Sequence, residues 1–243
     1  MTTHEMTRSA PVRAAGAAPP SRPLQRFGAI TGVIGFALAI GAIVVSATTG
    51  TVAANPGAPA EEVARAYGTA ASPLVWVGAM LQILAFLCLF GFATYLAGAL
   101  GRDHDSADWL PGLTAGAGQA CVSLTLAGFA IGSMARFRAG PGLDLSAAMA
   151  LFDVHVGLYV ASWAVGAAFM AVAAASGLRS KALPGWLCVA AACVAAVDLV
   201  AVAAPTSPLA SFPNLLLWLW TLAASTSLLL RPAPMSATGG VRP

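Results

Sequence analysis

The sequence predicts an all-α fold: an integral membrane bundle of six transmembrane helices with both termini in the cytoplasm. Three observations predict it. Of 243 residues, 58% are hydrophobic and only 9% charged, and the mean hydropathy is +0.81; soluble domains average roughly 45–50% apolar and about 25% charged. Six stretches of about twenty residues are nearly free of Asp, Glu, Lys and Arg, the length that a hydrocarbon core about 30 Å thick requires of a helix. The cations gather at the ends of those stretches, and unequally on alternate sides. So few charges cannot cover the water-facing surface of a soluble protein of this size, and the composition excludes a disordered chain and a nucleic-acid binder.

The stretches run from about Phe27 to Thr48, Leu74 to Leu100, Leu113 to Met134, Val154 to Leu178, Leu183 to Ala204 and Phe212 to Leu230, within a transmembrane domain of residues 26–230. Backbone groups in lipid must be satisfied inside their own segment, so runs this long are helices rather than barrel strands. The first resembles a secretory signal followed by small residues at Ala53 and Ala54. Its apolar region exceeds the 7–15 residues of a signal peptide, so it reads as an uncleaved anchor. Between the first and second spans, Glu61 and Glu62 precede Val63, Ala66, Tyr67 and Ala70 at three and four spacing, the pattern of a short amphipathic helix on the outer surface.

Orientation follows from the cations. Arg8, Arg13, Arg22, Arg26, Arg102, Arg179, Lys181, Arg231 and Arg242 fall on one side, and Arg65, Arg136 and Arg138 on the other. The richer side is cytoplasmic. Tyr67 and Trp76 at the outer start of span two, with Trp109 and Trp186 at the inner starts of spans three and five, mark the interfaces; Trp163, Trp218 and Trp220 lie deeper and read as packing or lipid contacts. Residues 1–25 and 231–243, rich in Pro and small or polar residues, read as disordered tails.

Small residues at four-residue spacing, Gly28 with Gly32, Gly112 with Gly116 and Gly128 with Gly132, allow helix backbones to approach closely. They place spans one and three inside the bundle and offer faces for homo- or hetero-oligomers. The turns Leu110-Pro111-Gly112 and Leu183-Pro184-Gly185 both open a span with Pro in the first turn, which is favoured there without any duplication.

An ionisable group inside a membrane is a functional lead by default. Asp198 is the one charge inside a stretch, about 9 Å below the outer end of span five. His155, Asp153, Arg136, Gln82 and Asn214 fall in the outer half of neighbouring spans, and together the six form the candidate polar cluster. A carboxylate there is tolerated beside a cation, so Asp198 pairing with Arg136 or His155 to hold helices together is the plain reading; a proton-linked or solute-binding vestibule is the sharper one. Asp153 and His155 stand about 200° apart around a helix, so at most one of them joins the site.

No metal or cofactor is expected. His155 is the only histidine in a span, which excludes bis-histidine haem within one chain, and the loop Asp103-His104-Asp105-Ser106-Ala107-Asp108 lacks the glycine and distal glutamate of an EF-hand. Cys88, Cys121, Cys188 and Cys193 lie inside spans and read as small apolar fillers. Nucleotide-loop, serine-elbow and zinc-helix motifs are missing from the sequence.

Asp153 on span four, the Arg179-to-Trp186 turn RSKALPGW and an alanine-rich span five resemble uncharacterised multi-pass membrane proteins of actinobacteria, over most of Arg26 to Leu230. The resemblance implies six spans and carries no activity. Eleven Arg to one Lys, with abundant Ala, fits a high-GC bacterium. The sequence thus reads as a polytopic protein of the bacterial cytoplasmic (inner) membrane, in contact with the lipid bilayer and without enzymatic activity: a structural, accessory or small-ligand-binding bundle. The alternative is a small proton-coupled secondary transporter or exporter using Asp198.

Overall fold

The computed structural model describes residues 22–49, 57–68, 72–102, 108–138 and 144–231. Most of both tails and the residues 103–107 around His104 lie outside them. The described residues form seven α-helices: α1 (Arg22–Thr49), α2 (Ala60–Gly68), α3 (Pro73–Leu100), α4 (Leu110–Arg138), α5 (Leu145–Ser180), α6 (Gly185–Ala203) and α7 (Pro213–Leu229), with a 3-10 turn at Pro208–Ser211 between the last two. Six long helices follow the six apolar stretches, and α2 is the amphipathic helix of the outer segment.

Five of them, α1, α3, α4, α5 and α6, are long and apolar enough to cross a membrane. The stretch from Phe212 to Leu230 differs from expectation: α7 has 17 residues, which rise about 26 Å, short of a hydrocarbon core about 30 Å thick. Two other boundaries move outward. The α5 helix begins at Leu145 rather than Val154, and α4 runs on to Arg138 rather than Met134. These extensions carry Asp153, Arg136 and Arg138, charges that end an apolar run without ending a helix.

The helices form a closed ring. Each packs on the next in the order α1, α3, α4, α5, α6, α7, and α7 returns to α1. Large side chains fill the interior: Phe86, Leu89, Phe92 and Leu96 from α3, Phe169 and Met170 from α5, and Trp218 and Trp220 from α7. Phe86 meets Trp218 at a ring separation of 5.6 Å and Phe169 meets Trp220 edge-on at 6.2 Å. Trp220 Nε1 donates to Leu187 O at 3.0 Å, so the deep indole keeps a partner. Trp109 and Trp186 remain exposed at the starts of α4 and α6, as interface residues do.

Glycine decides how closely the ring closes. A Cβ on Gly28 would lie 2.5 Å from the Tyr95 ring, one on Gly32 would overlap Ser225 Oγ, and one on Gly35 would lie 3.0 Å from Trp218. Gly118 meets Ala93 and Phe169, and Gly177 meets Cys188. Gly112 and Gly116, by contrast, face open space. The inside position expected for spans one and three is not what results. The most buried helix is α5, with 44% of its apolar window buried against 28% for α1 and 33% for α4, because in a ring the close glycine seams run between neighbours.

Turn chemistry sets the helix ends. Asp108 Oδ1 accepts the Leu110 N–H at 3.0 Å where α4 starts. Lys181 closes α5 in the left-handed region at φ 53°, and the Ala182 N–H donates to Ser180 Oγ. On the outer side the fully buried Val63 fixes α2 onto Ala135 of α4 and Ala148, Phe152 and Val156 of α5.

Two alanine substitutions two residues apart on α4 should act oppositely in thermal melts of the purified protein in detergent. Gly118→Ala forces Ala93 and Phe169 aside and should lose about 1–3 kcal/mol. Gly116→Ala meets nothing and should be neutral or gain up to about 1 kcal/mol of helix propensity.

Candidate functional site

The outer half of the ring does not close fully. A cleft of about 640 Å³ lies among the outer parts of α1, α3, α4, α5 and α7. Its floor is apolar and aromatic, with Phe86, Phe129 and Trp218, and its walls carry Gln82, Arg136, His155, Tyr159 and Asn214. Four of the six residues singled out in the sequence therefore meet in one place: Gln82, Arg136, His155 and Asn214.

His155 is held by the α4 glycines. Its ring lies within 3.0–3.2 Å of where a Gly132 Cβ would stand, and Nδ1 is 2.7 Å from Gly128 O. A carbonyl only accepts, so Nδ1 carries the hydrogen and Nε2 is left with the lone pair in the neutral ring. One turn deeper Tyr159 stacks under His155 at 6.5 Å with an 18° interplanar angle, and Trp163 meets Tyr159 edge-on at 5.2 Å. Positions 155, 159 and 163 are four apart, which aligns them on one face of α5. Asn214 Nδ2 donates to the Tyr159 hydroxyl and ties the start of α7 to α5. At the rim, Trp76 of α3 meets Phe137 of α4 edge-on at 6.2 Å.

Asp153 is exposed while His155 is half-buried in the cleft, so the 200° offset resolves in favour of the histidine. Asp198 also stands apart. It is 3% exposed, in the seam of α4, α5 and α6, where a Cβ on Gly166 would lie 3.5 Å from both Asp198 Oδ2 and Cys121 Sγ. Its Oδ1 has no hydrogen-bond partner among the described residues. His155 is eleven residues from Gly166 on α5, about 16 Å, and Arg136 is fifteen from Cys121 on α4, about 22 Å. The expected pairing of Asp198 with Arg136 or His155 is therefore out of reach in this arrangement.

The reason is unequal helix length. Asp198 lies five residues before the end of α6, close to the depth read from the sequence. But α5 has 36 residues and α6 has 19, so α5 continues outward about 31 Å beyond Gly166. Measured from the start of α6 at Gly185, Asp198 is about 20 Å along the helix, which leaves about 10 Å of a 30 Å core beyond it, the depth read from the sequence.

A few polar side chains, each bonded to a backbone carbonyl, lie between the two. Thr125 lines the cleft and its hydroxyl donates to Cys121 O at 2.9 Å; Cys121 Sγ lies 3.4 Å from Ser162 O, and Ser162 Oγ donates to Tyr159 O at 2.6 Å. Tyr159 and Trp218, both inside apolar stretches, are the site residues that sequence reasoning passed over. The spacing of four from His155 was the available signal for Tyr159.

No three His, Cys, Asp or Glu side chains come together as a metal site among the described residues. No family model, curated protein or solved structure matches the chain.

Tyr159→Phe and Asn214→Leu should each lower the melting temperature in detergent. Their double-mutant cycle should show a coupling on the order of 0.5–2 kcal/mol, the range of side-chain hydrogen bonds between membrane helices. A coupling of zero would show that the two groups do not meet.

Proposed function

We propose that the chain is a non-enzymatic, multi-pass protein of the bacterial cytoplasmic membrane, with six helices crossing the bilayer and both termini cytoplasmic, and that it binds a small ligand in the outer cleft. The observation that carries the reading is convergence. Five helices contribute to one cavity of about 640 Å³ whose apolar floor is combined with a few polar groups drawn from α3, α4, α5 and α7, the make-up of small-molecule sites. Binding rather than catalysis is favoured by the wall chemistry: one imidazole, one guanidinium, amides and hydroxyls, with no carboxylate or thiol lining the cleft among the described residues to orient or complement the histidine.

Support for a sixth crossing comes from the two ends of α7. At its start Asn214 bonds to Tyr159, and after its end Arg231 Nη2 donates to Lys181 O at 2.9 Å. Tyr159 on α5 and Lys181 at its cap are 22 residues apart, about 33 Å, so α7 and its end residues reach between the same two levels as its neighbours. Reporter fusions at the N- and C-termini should both report the cytoplasm; opposite faces would remove the six-span reading.

For the ligand, protein purified in mild detergent should release a co-purified small molecule on organic extraction. Ser133→Trp, which fills the cleft wall, should lose it at unchanged protein yield. Recovery of the same molecule in the same amount from the variant would contradict the reading.

A second reading, a proton-linked carrier, draws support from Asp198, buried inside an apolar helix and next to Cys121, one helical turn below Thr125 of the cleft lining. It expects Asp198→Asn to abolish proton-dependent flux in vesicles at normal abundance, and unchanged flux removes it.

A further inference from the structure

We propose that the outer cleft takes an amphiphile of the outer leaflet, its single anionic group, carboxylate or phosphate, seated against Arg136 and His155 and its apolar body on the aromatic floor. The proposal rests on the reading of the cleft as a ligand site and names the ligand's chemistry.

Charge is the first argument. Arg136 lines the cleft, the amides of Gln82 and Asn214 and the imidazole of His155 lie around it, and no Asp or Glu lines it among the described residues. A neutral hydrocarbon would gain nothing from the guanidinium. An oxyanion gains charge-assisted hydrogen bonds from a planar donor suited to carboxylate and phosphate.

The second argument is the polarity gradient. Down α4 the lining residues run Arg136, Ser133, Phe129, Thr125, steps of three or four that keep one face turned to the cleft and descend about 16 Å. On α3, Gln82 lies one turn above Phe86, with the amphipathic Trp76 above it at the rim. A head at the rim and an apolar body below match this order, whereas a small hydrophilic anion would leave the floor unfilled.

The third argument is the side door. Ile43 of α1 and Leu215 of α7 line the cleft and are themselves 48% and 37% exposed. They sit on adjacent helices of the ring, so the cleft lining on the α1 and α7 side reaches the surface through apolar side chains. Beside it the exposed Leu209 and Phe212 continue the apolar surface over the 3-10 turn. An opening of this kind admits a molecule sideways from the apolar phase, which a water-soluble anion does not need.

The test uses the full-length protein in an uncharged detergent, with the fluorescence of Trp76 and Trp218 in the cleft and thermal melting as readouts. The probes are oleate, methyl oleate, acetate and inorganic phosphate. Oleate should bind and raise the melting temperature, and the other three should bind at least about tenfold more weakly, the loss of one charge-assisted contact. Arg136→Gln should weaken oleate by about tenfold or more, while Arg179→Gln at the cytoplasmic end of α5 should leave it unchanged. Ser133→Asp, which adds a carboxylate beneath Arg136, should weaken oleate likewise and serves if Arg136→Gln does not fold.

Equal binding of oleate and methyl oleate, unaffected by either cleft variant, would overturn the anionic head and leave the cleft reading standing. Acetate or phosphate binding as tightly as oleate would overturn the lipid source. Failure of every probe, together with recovery of the same co-purified molecule from Ser133→Trp, would remove the cleft as a site altogether.

Discussion

Everything in this structure depends on one constraint: inside hydrocarbon a helix satisfies its own backbone, and then has no hydrophobic force to bring it to its neighbour. What remains is contact at short range. Glycine supplies it at Gly28 and Gly35 between α1 and α3, at Gly118 and Gly128 on α4, and at Gly177 against Cys188. Away from the cleft the approaches at Gly28, Gly118 and Gly177 and a dense aromatic core close the ring. In the outer half Gly128 closes on the His155 carbonyl and Leu158 and Gly132 on the His155 imidazole, and the space between α1, α3 and α7 is left as a cleft.

Unequal helix lengths then divide the polar groups into two levels. The α6–α7 hairpin is short, with 19 and 17 residues, while α4 and α5 have 29 and 36. The long ends carry Arg136 and His155 to the outer rim, where α2 anchors across them through Val63. Asp198, on a short helix, remains in a tight seam beside Gly166. The cleft rim and the buried acid beneath it are therefore distinct features.

The helical bundle was legible from the lengths of the apolar runs, because hydrocarbon thickness is a fixed ruler. The α2 helix was legible from acidic residues ahead of apolar ones at helical spacing, and Asp153 was separable from His155 by angle alone. The outer ends of α4 and α5 were not, since charge there signals departure from lipid and not the end of a helix. That one ambiguity placed Asp198 with His155 and Arg136. The role of Tyr159 was hidden for another reason: a phenol in an apolar stretch looks like filler until its partner, Asn214 of α7, is known. The membership of Gln82, Arg136, His155 and Asn214 in one cleft was legible because depth alone brings them to a common level.

The central claim is that a water- or lipid-accessible cleft opens at the outer end of a bundle that crosses the membrane. It is tested most directly by placing one cysteine at Ser133 on the cleft wall, in a background with Cys88, Cys121, Cys188 and Cys193 replaced by alanine, and treating intact cells with a membrane-impermeant maleimide. The account predicts labelling from outside that is slowed by a bound ligand. Labelling only after the membrane is broken, with the protein normally inserted, would contradict it.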